Sequence, residues 1–377
     1  MKEVYLDNSA TTIVCDKAAQ KVMELLTIKY GNPSSLHSKG LEAENELTLA
    51  RQKIADMLGT EKNNIIFTSG GTEANNLAIL GSAKAHSRKG KHIITTSIEH
   101  SSVMESMEQL EKIGFEVEYL KPDAQGCISP EQILNAIRPD TILVSMMYVN
   151  NELGSILPVE SIKRYLKIKK SNALIHIDAV QAFGKIPVKV SKLKADLITI
   201  TAHKVHGPKG VGALYIGKDI RILPRAFGGE QEKKLRPGTQ ASSLIAGFGC
   251  AVDELCDMED KYELIKTLRD KCLSKLSEMP LVKINSGENA LPYIINFSVE
   301  GIRSETMLHY LASRGIYVSS GSACAKGKKS HVLISAGLPD RRISSAIRVS
   351  FSRYNTEDDI DELIKGIQEG IKTLVKS

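Results

Sequence analysis

The chain has 377 residues, enough for a large domain with a smaller companion. Its 42% hydrophobic and 25% charged content is ordinary for a globular protein in water, and a formal charge of +6 with no basic block gives no support to nucleic-acid binding. No apolar run approaches a membrane span, the first residues lack a signal-peptide core, and the six cysteines (Cys15, Cys127, Cys250, Cys256, Cys272, Cys324) show no CxxC spacing, so a cytoplasmic protein with no zinc site and no disulfide framework is expected.

The opening, Tyr5-Leu6-Asp7-Asn8-Ser9-Ala10-Thr11-Thr12, reads as a short extended segment running into small polar residues. Asp16 stands where it would cap a helix over 17–29, and Tyr30-Gly31-Asn32-Pro33-Ser34-Ser35 is a breaker cluster, hence a loop. Helical spacing returns over 40–58 and stops at Gly59. Strands and helices then alternate. Strands are predicted at 65–68, 92–96, 115–120, 141–147, 174–178 and 196–200, with helices reaching about Arg88 and over 102–113, 130–137 and 159–170. The central strands are apolar on both faces, which predicts a mostly parallel sheet covered by helices. Beyond 212–216 the pattern changes. One long helix is predicted over about 241–277, followed by strands at 293–299, 316–319 and 347–351, a helix at 304–313, and a final amphipathic helix capped by Thr356-Glu357-Asp358-Asp359. The expected class is α/β: a large domain of residues 16–253 with a mostly parallel mixed sheet, and a smaller α+β domain of 1–15 and 254–377.

Ligands of open parallel sheets lie at the carboxyl ends of the strands, and those ends are polar here. The strand at 196–200 leads into Thr201-Ala202-His203-Lys204-Val205-His206-Gly207-Pro208-Lys209-Gly210. Gly207-Pro208 turns the chain, which leaves Lys204 at the end of a buried strand. Desolvation there favours the neutral amine, the form that attacks a carbonyl; a surface loop lysine is the alternative. Ser69-Gly70-Gly71-Thr72 joins a strand to a helix and offers backbone N–H groups and a hydroxyl to a phosphate. It matches neither GxxxxGK[ST] nor GxGxxG, and it also reads as a plain Gly-rich turn. Asp178 ends a strand among apolar residues, so it either caps a helix or meets a cation such as a pyridinium N–H. Gln181 follows within reach of a phenolic oxygen. Glu99-His100 and Asn150-Asn151-Glu152 end two more strands, where a lone histidine is as readily structural. A Schiff-base lysine, an acid for a ring nitrogen, amides for a ring oxygen and a Gly-Thr phosphate seat are together the needs of pyridoxal 5'-phosphate (PLP).

These motifs occur in an order that resembles the NifS/IscS-type cysteine desulfurases, within the class V aminotransferase group of PLP enzymes. The resemblance runs nearly end to end. It rests on Asp7-Asn8-Ser9-Ala10-Thr11-Thr12, Tyr30-Gly31-Asn32-Pro33, Ser69-Gly70-Gly71-Thr72-Glu73-Ala74-Asn75-Asn76, Glu99-His100, Val149-Asn150-Asn151-Glu152, His176-Ile177-Asp178-Ala179-Val180-Gln181, Ala202-His203-Lys204, Arg236-Pro237-Gly238-Thr239 and Ser320-Gly321-Ser322-Ala323-Cys324. It implies the type I PLP-dependent transferase fold and a homodimer. It further implies that Lys204 forms the Schiff base with PLP, that Asp178 pairs with the pyridine nitrogen, that Gln181 and Asn151 bond the ring oxygen, and that His100 stacks on the ring and moves protons. Gly71, Thr72, Thr201 and His203 would hold the phosphate, and Thr239 would reach the phosphate bound by the partner subunit. Arg348 would grip the substrate carboxylate, with Asn32 nearby.

Cys324 would be the nucleophile. Its surroundings, Ser319 through Ser330, are small and polar, with Lys326, Lys328 and Lys329 close after the thiol, and nearby cations lower a thiol pKa. The other cysteines read as apolar filler. The implied reaction converts L-cysteine to L-alanine and leaves the sulfur as a persulfide on Cys324. An acceptor protein, either an iron–sulfur scaffold or a tRNA-thiolation enzyme, would then take it. A selenocysteine lyase or another class V reaction is the alternative among PLP enzymes, and a non-catalytic scaffold the alternative outside them.

Overall fold

A computed structural model describes residues 3–321 and 329–374. Its strands are β1 (Val4–Tyr5), β2 (Ile65–Thr68), β3 (His92–Thr96), β4 (Glu116–Leu120), β5 (Thr141–Met147), β6 (Leu174–Asp178), β7 (Leu197–Thr201), β8 (Gly212–Ile216), β9 (Val282–Ile284), β10 (Ile294–Val299), β11 (Ile316–Tyr317) and β12 (Ala346–Ser350). A seven-stranded sheet has the order β2-β8-β7-β6-β5-β3-β4. Only β8 runs against its neighbours; the remaining pairs are parallel. The α/β class and the mostly parallel mixed sheet expected from the sequence are the ones the chain adopts.

The strands β5, β6, β7 and β8 are buried along their whole length, which explains their near-continuous apolar runs. The edge strand β4 behaves differently, with Glu116 and Glu118 turned to solvent. Charges on an edge discourage pairing with a second chain. Helix Gly71–His86 lies against the sheet, buried from Ala74 to Ala83 apart from Asn76.

The C-terminal third builds a smaller antiparallel sheet of order β12-β10-β9. The amino-terminal segment joins it: β1 pairs in parallel with β11, and Ser350 N donates to Leu6 O at 2.7 Å. Helix Glu357–Thr373 begins with a capping box between Thr356 and Asp359, as its sequence predicts. One continuous apolar core runs from Val4 to Ile367 and unites both sheets. No helix among the described residues is long and apolar enough to cross a membrane.

Several expectations change. The single helix predicted over 241–277 is two, Ser242–Asp253 and Met258–Ser277. Glu254 O, which a continuing helix would offer to the next turn, accepts instead from Lys261 Nζ at 2.5 Å and Arg353 Nη1 at 2.8 Å. No Gly or Pro marks the break, so apolar spacing runs straight through it. Asp16 is the first residue of helix Asp16–Thr27 and not its cap, a position held by Cys15. The strand predicted at 316–319 ends at Tyr317, because Ser319 leaves to bridge Arg348. The helix predicted at 159–170 starts as a 3-10 turn, Val159–Ser161, before Ile162–Ile168.

Candidate active site

The carboxyl ends of β2, β3, β5, β6 and β7 share one edge of the sheet, and there they line a cleft of about 260 Å³. Asp178, the last residue of β6, is buried at its floor. Its Oδ1 accepts from Val180 N at 2.9 Å and its Oδ2 from Asn75 Nδ2 at 2.7 Å. Asn75 comes from helix Gly71–His86 and also donates to Ser102 Oγ at 2.9 Å. Ser102 Oγ in turn lies 2.9 Å from His100 Nδ1. A chain of polar contacts therefore connects Asp178 to His100.

His100 follows β3 and caps helix Ser101–Lys112 by accepting from Ser102 N at 3.1 Å. A backbone N–H can only donate, so Nδ1 is the acceptor and the neutral ring carries its proton on Nε2. Burial lowers the pKa of His100, opposed by the charge of Asp178 and aided by Lys204. The residue is therefore neutral in the middle of the physiological range.

Lys204 follows β7 in a short 3-10 turn, Ala202–Lys204, and lines the cleft. Its Nζ donates to Ser9 O at 2.5 Å and Ala10 O at 2.7 Å. The amino-terminal segment thus faces this amine directly. Gln181 lines the same cleft, donating from Nε2 to Ser9 O at 2.9 Å. Asn151, in the turn after β5, also lines it.

Gly71, Thr72, Thr201 and His203 line the end of the cleft at the start of helix Gly71–His86. The first N–H groups of a helix have no intrahelical partner and favour an anion. A Cβ on Gly71 would stand 3.0 Å from Val180 Cγ2, a tight approach that would require the valine to shift. His203 lies 3.3 Å from Thr11 Oγ1, and burial with the charges of Lys204 and Lys209 pushes it down to about 4. Its ring is neutral at physiological pH.

Arg348 enters from the other sheet, in mid-strand on β12 opposite Asn296. It is 1% exposed, with Nη1 on Asn151 O at 2.9 Å and Nη2 on Asp7 Oδ1 at 2.7 Å. It lines the cleft and joins three separate stretches of chain there.

Two expected site residues are placed elsewhere. Asn32 is exposed, and its Oδ1 accepts from Ser34 N at 2.9 Å in the surface loop before helix Ser38–Leu58; it does not line the cleft of its own chain. Thr239 is exposed and likewise outside this lining. Cys324 lies outside the described residues.

Other residues gain importance only in the folded chain. Asn75 belongs to one of the sequence motifs, yet no role for it is legible there, because its partner Asp178 is more than a hundred residues away. Glu99 and Glu152 are fully buried beside the cleft. Glu99 Oε1 takes Thr96 Oγ1 at 2.7 Å and Met147 N at 3.0 Å, and burial pushes its carboxyl up to about 8. Glu152 Oε2 accepts from Ser330 Oγ at 2.5 Å, and burial raises its pKa. The same oxygen would lie 2.7 Å from a Cβ placed on Gly321, whose φ of +125° is itself unfavourable for a side chain. His331 Nε2 approaches Glu99 O at 2.9 Å. Gly321 and Ser330 therefore both lie beside the Glu152 carboxyl.

These residues fit PLP. An amine, a buried carboxylate, an imidazole and a helix N-terminus face one cavity. Ser9 Oγ and Asn75 Oδ1, both on cleft-lining residues, are buried with no hydrogen-bond partner among the described residues. No group of His, Cys, Asp and Glu suited to a metal ion occurs among the described residues.

Comparison with known proteins gives the same direction. The class-V aminotransferase family model matches residues 4–363. A cysteine desulfurase IscS of Methanosarcina thermophila is 43% identical, with 99% of this chain and 93% of that protein covered. Among solved structures, a NifS-like protein superposes with a TM-score of 0.94 at 39% identity, covering 99% of this chain and 100% of that one. A structure described as SspA in complex with cysteine gives a TM-score of 0.83 at 35% identity, covering 94% of this chain and 100% of that one. With the match spanning nearly every element that builds the cleft, the chain belongs to the class-V aminotransferase family.

Proposed function

We propose that this chain is a PLP-dependent cysteine desulfurase that converts L-cysteine to L-alanine and passes the sulfur on as a persulfide on Cys324. The observation that carries this reading is the convergence of Lys204, Asp178 and His100 on one cleft, with Arg348 beside them. The naming of its IscS relative and the cysteine of the SspA structure support the substrate.

When bound, PLP supplies an electron sink conjugated to the amino acid. The chain's residues do the rest. Asp178, whose oxygens accept from Asn75 Nδ2 and Val180 N at the cleft floor, would face the ring nitrogen. Gly71, Thr72, Thr201 and His203 would hold the phosphate, and Gln181 and Asn151 would meet the ring oxygen. Arg348 attracts the substrate carboxylate. Lys204, with His100 beside it, is placed to take the Cα proton. The Cys324 thiolate attacks the substrate sulfur: a sulfur–sulfur bond forms, the carbon–sulfur bond breaks, and its electron pair stays with the carbon. One proton delivered to Cβ and one returned to Cα complete alanine.

We further propose a homodimer, with Thr239 and Asn32 serving across it. Helices Asp16–Thr27 and Ser38–Leu58 support this, because they expose Met23, Leu26, Leu41 and Leu49. The division into 16–253 and 1–15 with 254–377 follows the change from the large sheet to the small one. The described cysteines are all free, in keeping with a cytoplasmic setting. The final acceptor is a sulfur-carrying partner protein, an iron–sulfur scaffold or a tRNA-thiolation enzyme.

The test is alanine and sulfide production from cysteine by the PLP-loaded chain and by Cys324→Ala. Loss of sulfide release in the variant, with an unchanged visible cofactor band, is expected. Full-rate release would overturn the role of Cys324, and preference for selenocysteine in both proteins would point to a lyase.

A further inference from the structure

Lys185 lies four residues after Gln181 and is 6% exposed. Its Nζ donates to Gln181 Oε1 at 2.9 Å. A glutamine amide can present either its oxygen or its NH2 to a ligand, and its neighbours decide which. Here the oxygen is taken by Lys185. The NH2 is left for Ser9 O, the same carbonyl that receives Lys204 Nζ. A line of hydrogen bonds therefore runs from Lys185 through Gln181 and Ser9 to the amine of Lys204.

Behind this line is a second, smaller cavity of about 30 Å³, room for a water or two. Lys185, Lys204, His206, Lys261, Tyr293 and Arg353 line it, and no carboxylate does among the described residues. Lys185 Nζ is 5.8 Å from the centre of the Tyr293 ring. Burial, then the charges of Lys204 and Arg348, push Lys185 down to about 7. His206 is held low by its own burial, to about 4, and adds no charge to this face at neutral pH.

We propose that Lys185 is a positioning residue, which locks the Gln181 amide with its NH2 toward the cleft. The Gln181 side chain then presents a donor and not an acceptor to the cleft next to Lys204, which suits a ligand oxygen that carries negative charge, as the ring oxygen of PLP does. That last step rests on the cofactor reading above; the amide lock itself does not.

The test separates the two. In the full-length chain without added PLP, labelled with 15N-glutamine, the Gln181 side-chain signals are assigned by their loss in Gln181→Ala. They are expected to titrate with a midpoint near 7 in the natural chain, from Lys185. The titration should vanish in Lys185→Met. In Lys185→Arg, which keeps a donor, the amide should stay held without titrating in this range. Side-chain signals in Lys185→Met that coincide with those of the natural chain in position and in pH response would overturn the lock. With PLP added, Lys185→Met should bind the cofactor about tenfold more weakly, because one charge-assisted hydrogen bond no longer orients the amide, and the pH midpoint of its visible band should rise. Unchanged affinity and midpoint would overturn the donor-edge reading. Failure of PLP to bind the natural chain would instead sink the proposed function, with the amide titration still deciding the lock.

Discussion

The two sheets reach the cleft by different routes. The seven-stranded sheet contributes residues at or beyond its strand ends: Asp178 closes β6, His100 follows β3 and Lys204 follows β7. The three-stranded sheet contributes Arg348 from the middle of β12, where the backbone is paired on both sides, with Asn296 and with Ser319. Around it the polar side chains of the small sheet bond to one another, while Arg348 Nε is buried with no hydrogen-bond partner among the described residues. Asn285 Nδ2 donates to Asn296 Oδ1 at 2.7 Å and to Ser298 Oγ at 2.8 Å, and Arg342 Nε reaches Asn285 Oδ1 at 2.8 Å. A residue on a strand-end loop can be changed without unpairing a sheet. Replacing a buried mid-strand arginine removes the donor held by Asp7 and Asn151, so chemistry and stability are separable on one side of the cleft and fused on the other.

The largest effect should come from Lys204→Ala. Removing the amine should eliminate the covalent visible band with PLP and lower turnover by roughly 10² to 10⁴ or more, while the melting temperature stays within a few degrees. A large loss of stability would break the contrast, because Lys204 would then be holding the fold. Arg348→Met should act on both properties. It leaves the Asp7 carboxylate and the Asn151 carbonyl without their donor, which costs roughly 3 kcal/mol by the usual penalty for breaking a buried pair. It should also raise KM for cysteine. Urea unfolding and steady-state kinetics on the same preparation would check this, and normal stability with a raised KM would show that Arg348 is as separable as Lys204.

The smallest effect concerns Glu99, a carboxyl the reaction does not use. Burial raises it from 4.5 to about 8. Between those pH values the folded chain keeps a proton that the unfolded chain releases, so stability falls as pH rises through that window. Lys185 acts only above about 7, where its neutral folded amine makes stability rise with pH. Buried groups such as His203, His206 and Glu152 contribute between pH 5 and pH 7 as well, so the carboxyl is isolated by comparing the pH 5 to pH 7 change in the natural chain with that in a Glu99 variant. Glu99→Gln should remove a difference on the order of 1–2 kcal/mol. An unchanged slope would mean that Glu99 is ionised in the fold.

Much of the scaffold is readable without coordinates. The strands β5, β6 and β7 declare themselves because burial on both faces demands unbroken apolar runs. Gly71, Asp178, Gln181 and Lys204 stand out because polar residues directly after such runs have one place to go, the ligand edge of a parallel sheet. These are local properties, set by neighbours in the chain and by the period of the backbone. What escapes is whatever depends on a distant partner. Glu254 ends a helix because Arg353 and Lys261 take its carbonyl; Asn75 matters because Asp178 arrives beside it. The Gln181 amide has a direction because Lys185 is buried against Tyr293, with other cations near and no carboxylate lining its cavity among the described residues. Hydrogen-bond direction and charge state are set by everything packed within a few ångströms, and packing brings together residues that no spacing along the chain connects.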